Sequence, residues 1–406
     1  MNDDLTGQRL GAALRDHVPA HPHAPLDLAD VKAGARRVRR RRTVTGVAVA
    51  AVAAAVLTPA GFMALDGDGT GATPGPATQA PTAVPRPSLV PAPRDDVTLE
   101  EDSPRGDDPL DWAHPSFTGA APPHDALPDG TDQVARLGER WAAGRDNGVE
   151  RTVVLLDADG AILREFEAQS FAVSDTHELV AWTTGRTLML MDDSGRTREL
   201  ATLPGNHGDP VDLTGGAGCV DESDVEGCRV VVSYGSENGP DVITGDGTIT
   251  PVSEAVVHVS AAHEDFAAGP EMPAAFENTG CTRLIDLGTD GQTRWKNCDV
   301  HVWSFSPDGR WMTVVDRDSD GWGPSRIGVA DAATGKVFFW IDPTGDDRGL
   351  GNATWEGSDH LVVDSYDFTD REWRLFRVSV TGEVEQAADM VPGTDGDFPF
   401  IPPVQP

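Results

Sequence analysis

From Thr131 to the C-terminus the sequence repeats one device: a short β-branched or apolar run, a turn built on Asp and Gly, and a second such run. TVVLLDADGAILREF, TLMLMDDSGRTREL, DVITGDGTITPV, RLIDLGTDGQTRW, RIGVADAATGKVFFW and RLFRVSVTGEVEQA each read as strand, tight turn, strand. Sustained helical spacing is nearly absent, so the region is all-β. Ahead of several of these hairpins stands another, in FAVSDTHELVAW, VWSFSPDGRWMTVV and ATWEGSDHLVVDSY. Two hairpins make a four-stranded sheet.

With Ser174, Ser260, Ser306 and Gly357 taken as equivalent turn positions, the gaps are 86, 46 and 51 residues, and one further unit around Val220 fits inside the first gap. A period of about 43–51 residues is that of the four-stranded blades of a β-propeller. A divergent first unit over 131–168 brings the number to six. Five and seven stay open, because that unit is faint and Phe398-Pro399-Phe400-Ile401 has the composition of a closing strand; an array of β-sandwiches is the other architecture. The clearest unit, Ser304 to Lys336, resembles the WD40-like PD40 repeat of TolB-type propellers. Phe305, Ser306, Pro307, Asp308 and Gly309 match its FSPDG element, and Asp318 to Gly321 and Asp331 to Gly335 match its two later turns.

The first third of the chain is different. Residues 1–42 carry nine Lys/Arg against five Asp/Glu and end in Arg36, Arg37, Arg39, Arg40, Arg41 and Arg42, which leaves 23 basic and 61 acidic residues for the rest. Residues 43–65 hold no charge over 23 positions, and about 20 suffice to cross a hydrocarbon core. The arginines before this stretch, and Asp66 and Asp68 after it, predict one transmembrane helix with a cytoplasmic N-terminus. A cleaved signal peptide is the competing reading; the 42 preceding residues are long for a basic leader region. Residues 66–130 contain 13 of the 31 prolines without periodicity and read as a disordered linker; Trp112 and Phe117 near its end would tack it to the domain at 131–406. In the first segment, DLTGQRLGAALRDHV and LADVKAGARRVRRRRT resemble the N-termini of actinobacterial membrane proteins encoded beside extracytoplasmic-function sigma factors. That resemblance implies a sigma factor as cytoplasmic partner.

All four cysteines lie in the outer domain, where an oxidising compartment permits disulfides. A two-residue turn at Thr289-Asp290 would oppose residues whose numbers sum to 579, which pairs Cys281 with Cys298. Cys219 and Cys228 bracket the loop VDESDVEG, at the place where the repeat has its SPDG turn. Neither pair has metal-site spacing.

Asp316, Asp318, Asp320 and Gly321 form the first half of a calcium loop, where alternating carboxylates converge on a hard cation. The ninth and twelfth positions, Pro324 and Ile327, do not complete it, so no cofactor is expected, and calcium would bind here only with carbonyls and water completing its shell. Asp221, Glu222, Asp224 and Glu226 form a second acidic loop, read as a solvated turn, and DGQTRW reads as an Asp-Gly hairpin. No nucleophile elbow, zinc-binding helix or phosphate loop appears. Trp303, Trp311, Trp322, Trp340, Trp355 and Trp373 either fill the spaces between blades or line a binding face. The acidic surface excludes nucleic acid and anionic lipid as partners and favours cations and basic groups. The leading expectation is a non-enzymatic binding or scaffolding propeller, anchored in the cell membrane by one span, with an extracytoplasmic protein or cell-wall ligand. A sigma-factor-holding sensor and a propeller hydrolase are the alternatives.

Overall fold

The computed structural model describes residues 95–106, 127–146, 151–168, 170–205, 208–234, 239–271, 280–289, 291–317, 323–345, 347–394 and 399–404, all within the compact unit Arg86–Pro406. Among the described residues no helix is long and apolar enough to cross a membrane. The stretch 43–65, the basic segment before it, and Trp112 and Phe117 lie outside them.

The described residues form six antiparallel sheets of at least four strands, at 131–167, 171–202, 208–251, 261–297, 300–343 and 348–386. They are the blades of a six-bladed propeller, numbered 1 to 6 in that order. Within each blade the strands follow chain order, and from blade 1 to blade 5 the first strands of successive blades lie against one another.

The turns explain the abundance of Asp. Asp157 Oδ1 accepts the Ala161 amide (2.8 Å) and Asp192 Oδ1 the Arg196 amide (3.0 Å), while Asp331 Oδ1 accepts the Thr334 amide (2.8 Å). Each carboxylate thus closes its own third-to-fourth-strand turn, a local preference of Asp. Between first and second strands the motif differs: Ser306 Oγ accepts the Trp311 amide (3.0 Å) and donates to Asp308 Oδ1 (2.7 Å), and Ser174 Oγ accepts the Leu179 amide (3.1 Å). Gly309 is required there. Its φ is +65°, and a Cβ would stand 2.7 Å from Nδ1 of His263 in the preceding blade. His263 Nε2 meets Pro307 O at 2.9 Å, and the Gly138 amide donates to His177 O at 2.7 Å, so adjoining blades are tied turn to turn.

Each interface between blades has its own apolar layer, as with Leu137, Val153 and Leu155 of blade 1 against Phe171, Val180 and Trp182 of blade 2. Two chain ends complete the ring. Residues 399–404 enter between blades 6 and 1: Phe400, fully buried, packs with Val362, Tyr366 and Trp373 of blade 6, and Ile401 with Val134 and Leu156 of blade 1. The Val134 amide donates to Pro402 O and the Val404 amide to Val134 O (2.7 Å), which adds this segment to the inner edge of blade 1. The closing element is therefore Phe400 to Val404, reached from Phe398–Ile401 by moving a few residues C-terminally.

At the other end, residues 95–106, expected as linker, belong to the domain. Val97–Leu99 pairs in parallel with Ile341–Pro343 at the outer edge of blade 5, with Leu99 1 % exposed. Gly106 then donates to Gln386 O (2.9 Å) at the edge of blade 6. The prolines cluster before Arg94, and the alternating V-T-L that follows supplies a strand that only a free sheet edge could recruit.

Two equivalences shift. Ser260 precedes the first strand of blade 4; the turn lies at Glu264-Asp265, because the buried, strand-like run Val256–Val259 in the connection mimics a blade strand. The Thr289-Asp290 hairpin is wider than expected, closing at Asp286 opposite Gln292. A bulge between Leu284 and Ile285 restores the sum of 579 at Thr282 opposite Asn297.

Candidate binding site at the propeller axis

A first strand has a neighbouring strand on one side and adjacent blades over both faces, so an exposed side chain on it can reach solvent only along the axis. Four side chains meet that condition: Asp132, the extra residue of a bulge, and Arg136 on Thr131–Leu137 of blade 1, Asp209 in blade 3 and Trp303 in blade 5. Asp209, second residue of Gly208–Thr214 in blade 3, is exposed, and Ser170 from the connection before blade 2 donates to its Oδ1 (2.8 Å). Trp303, on Val300–Phe305 of blade 5, is 38 % exposed.

Trp303 is also the extra residue of a β-bulge between Val302 and Ser304. Bulges re-aim side chains and end regular pairing, and they are frequent beside binding sites. Val211 occupies the same kind of position in blade 3, and Gly351 and Asn352 in blade 6. The sequence marks the bulge in VHVWSF, where Val300 and Val302 alternate and Phe305 falls out of phase. The other tryptophans divide clearly: Trp311, Trp355 and Trp373 are buried core, and Trp340 lies under the Arg326 guanidinium (4.1 Å). Trp322 lies outside the described residues.

Beneath this surface lie buried carboxylates. Asp364, 1 % exposed, accepts the Asn352 amide at Oδ1 (2.7 Å) and Asn352 Nδ2 at Oδ2 (3.1 Å), holding the blade 6 bulge in place. Burial outweighs these bonds and pushes its pKa up to about 7. Asp212, 5 % exposed, is pushed up to about 6 by burial, against the opposing pull of Arg229 and His263. His258 and His301 titrate below the ordinary histidine range, both chiefly through burial, with further repulsion of His258 by His301 and of His301 by Arg317.

No family model matches the chain, and no curated protein matches it. Solved propellers do. The putative TolB from Agrobacterium tumefaciens aligns at 15 % identity with a TM-score of 0.40, over 60 % of this chain and 87 % of that one. TolB from Acinetobacter baumannii aligns at 14 % identity with a TM-score of 0.39, over 68 % of each chain. Prolyl oligopeptidase B from Galerina marginata aligns at 10 % identity with a TM-score of 0.46, over 66 % of this chain, which spans 43 % of that enzyme's length.

Of the residues singled out in the sequence, Trp303 stands exposed on a first strand, and the cysteines and the acidic loop do not lie on one. Asp316 accepts from Arg326, Nε to Oδ2 at 3.0 Å; Asp318 and Asp320, the other carboxylates of the expected calcium loop, lie outside the described residues. The disulfides Cys219–Cys228 and Cys281–Cys298 both form as the hairpin spacing predicts. In the acidic loop, Asp221 accepts the Ser223 amide (3.1 Å) and pairs with Arg196 (3.5 Å), Glu222 pairs with Arg198 (3.4 Å), and Asp224 accepts the Gly227 amide (3.3 Å). Its charges thus serve the turn and the neighbouring blade.

Proposed function

We propose that the chain displays its propeller outside the cell, held by the span at 43–65, and uses the axial face to bind rather than to transform a ligand. The observation that carries this reading is the pair of disulfides in the propeller, since such bonds persist in oxidising compartments. The arginines at 36–42 and the uncharged stretch after them support the orientation. Exposed Trp303 and Asp209 on first strands, an aromatic and a polar group, are the kinds of side chain that binding sites use.

Topology is directly testable. Asp159 stands exposed in a blade 1 turn. In intact cells, a membrane-impermeant maleimide is expected to label Asp159→Cys and to leave Asp3→Cys unlabelled until the membrane is opened. Labelling of Asp3→Cys alone, or of neither before lysis, would retire the outward display.

A further inference from the structure

The geometry points to a second binding site, away from the axis, that takes an uncharged, electron-rich aromatic ring of phenol or indole type. It goes beyond the axial reading and does not depend on it. Between blades 4 and 5, beside the first turn of blade 5, the side chains leave a cavity of about 120 Å³. An apolar cavity of ~150 Å³ is enough to hold benzene, so a single ring is the size of group this one can seat.

Both blades build its walls. Blade 4 contributes Phe266, first residue of Phe266–Pro270, and Arg294, on Gln292–Asn297. Blade 5 contributes Arg310, Trp311 and the turn residues Ala332 and Ala333. Trp311 and Ala332, each 3 % exposed, form the floor, and exposed Arg294, Arg310 and Ala333 form the rim. Backbone bonds hold this shape in place: the Ala332 amide donates to Arg310 O (3.0 Å), and Trp295 Nε1 donates to Ala332 O (2.8 Å).

Two guanidinium-aromatic stacks decide the chemistry. The Arg294 guanidinium lies 4.1 Å from the centre of the Phe266 ring, and that of Arg310 lies 4.9 Å from the Trp311 ring. A cation drawn to the negative face of one ring attracts a second ring in the same way. Electron-rich rings gain most from it. Ions are not favoured, because the charges around the cavity balance. Asp286 Oδ2 accepts from both Nε (2.9 Å) and Nη2 of Arg294 (2.8 Å), and Asp331 stands in the lining with Arg310. An anion would meet two carboxylates there, and a cation two guanidinium groups.

Two sources share this chemistry, a free phenol or indole and an aromatic side chain displayed by a protein segment. Calorimetric titration of the purified full-length chain with p-cresol, and separately with an end-blocked glycine pentapeptide carrying a central tyrosine, tells them apart. p-Cresol is expected to bind with a dissociation constant of about 1 mM, the scale for a ligand of one ring, and benzoate about tenfold more weakly. Ala333→Leu, which narrows the opening from an exposed turn, should weaken p-cresol about tenfold. Arg294→Met keeps the stem and removes the charge, and should weaken it about threefold. Binding of p-cresol without the peptide identifies a free small molecule, and binding of both a site that also accepts a displayed side chain. If Arg294→Met does not fold, Ala333→Leu carries the test. No heat from p-cresol, benzoate binding as tightly as p-cresol, or an affinity unchanged by both substitutions would overturn the assignment.

Discussion

Phe400→Ala is expected to lower the unfolding free energy by about 3–5 kcal/mol, the range for removing a fully buried phenylalanine. The size follows from where the ring sits. Five of the six interfaces between blades join sheets that are consecutive in the chain, so each is formed locally. The sixth joins blade 6 to blade 1, and its two apolar layers are bridged by Phe400 on one side and Ile401 on the other. Truncating Phe400 leaves Val362, Tyr366 and Trp373 facing a void, and the backbone bonds between Val134 and residues 402–404 must then hold the junction without that packing. Denaturant unfolding of the full-length chain checks this. A loss under about 1 kcal/mol would mean that the ring closes without the C-terminal segment.

The second large effect is on pH. Asp364 titrates near 7 in the fold and near 3.8 when unfolded, so between those values the folded state holds a proton that the unfolded state has released. Stability from this group is therefore full at low pH and declines as pH rises through 7, by up to about 4 kcal/mol at 1.36 kcal/mol per unit. Glu271, held down by the Lys296 ammonium, and Asp286, held down by the Arg294 guanidinium, slope the opposite way, so the whole-protein curve conceals the term. The difference from Asp364→Asn isolates it. Relative to wild type, that variant should gain several kcal/mol of stability between pH 5 and pH 8, read from denaturant curves at each pH. Parallel curves for the two proteins would show that Asp364 titrates normally.

The blades were legible in the sequence because their turns are local events. An Asp that caps its own turn, or a Ser that bonds the amide five residues on, acts through neighbours visible in the chain, as at Asp192 and Ser306. Cysteine pairing was legible for the same reason, since the register of one hairpin sets it. Elements recruited from afar were not. Val97–Leu99 is three residues long and becomes a strand only because blade 5 offers an open edge, and Phe400 gains its role from two blades more than two hundred residues apart. The site lay between these cases. Trp303 was one of several tryptophans of equal standing until the bulge at Val302 and Ser304 turned it out of the blade, while Asp209 carried no signal at all.

The account depends on Trp303 standing free at the axis. Hydroxyl-radical footprinting of the full-length chain, read residue by residue by mass spectrometry, compares it directly with the tryptophans packed between blades. Trp303 should oxidise well ahead of Trp311, Trp355 and Trp373. Oxidation of Trp303 as slow as that of Trp373 would contradict the axial site.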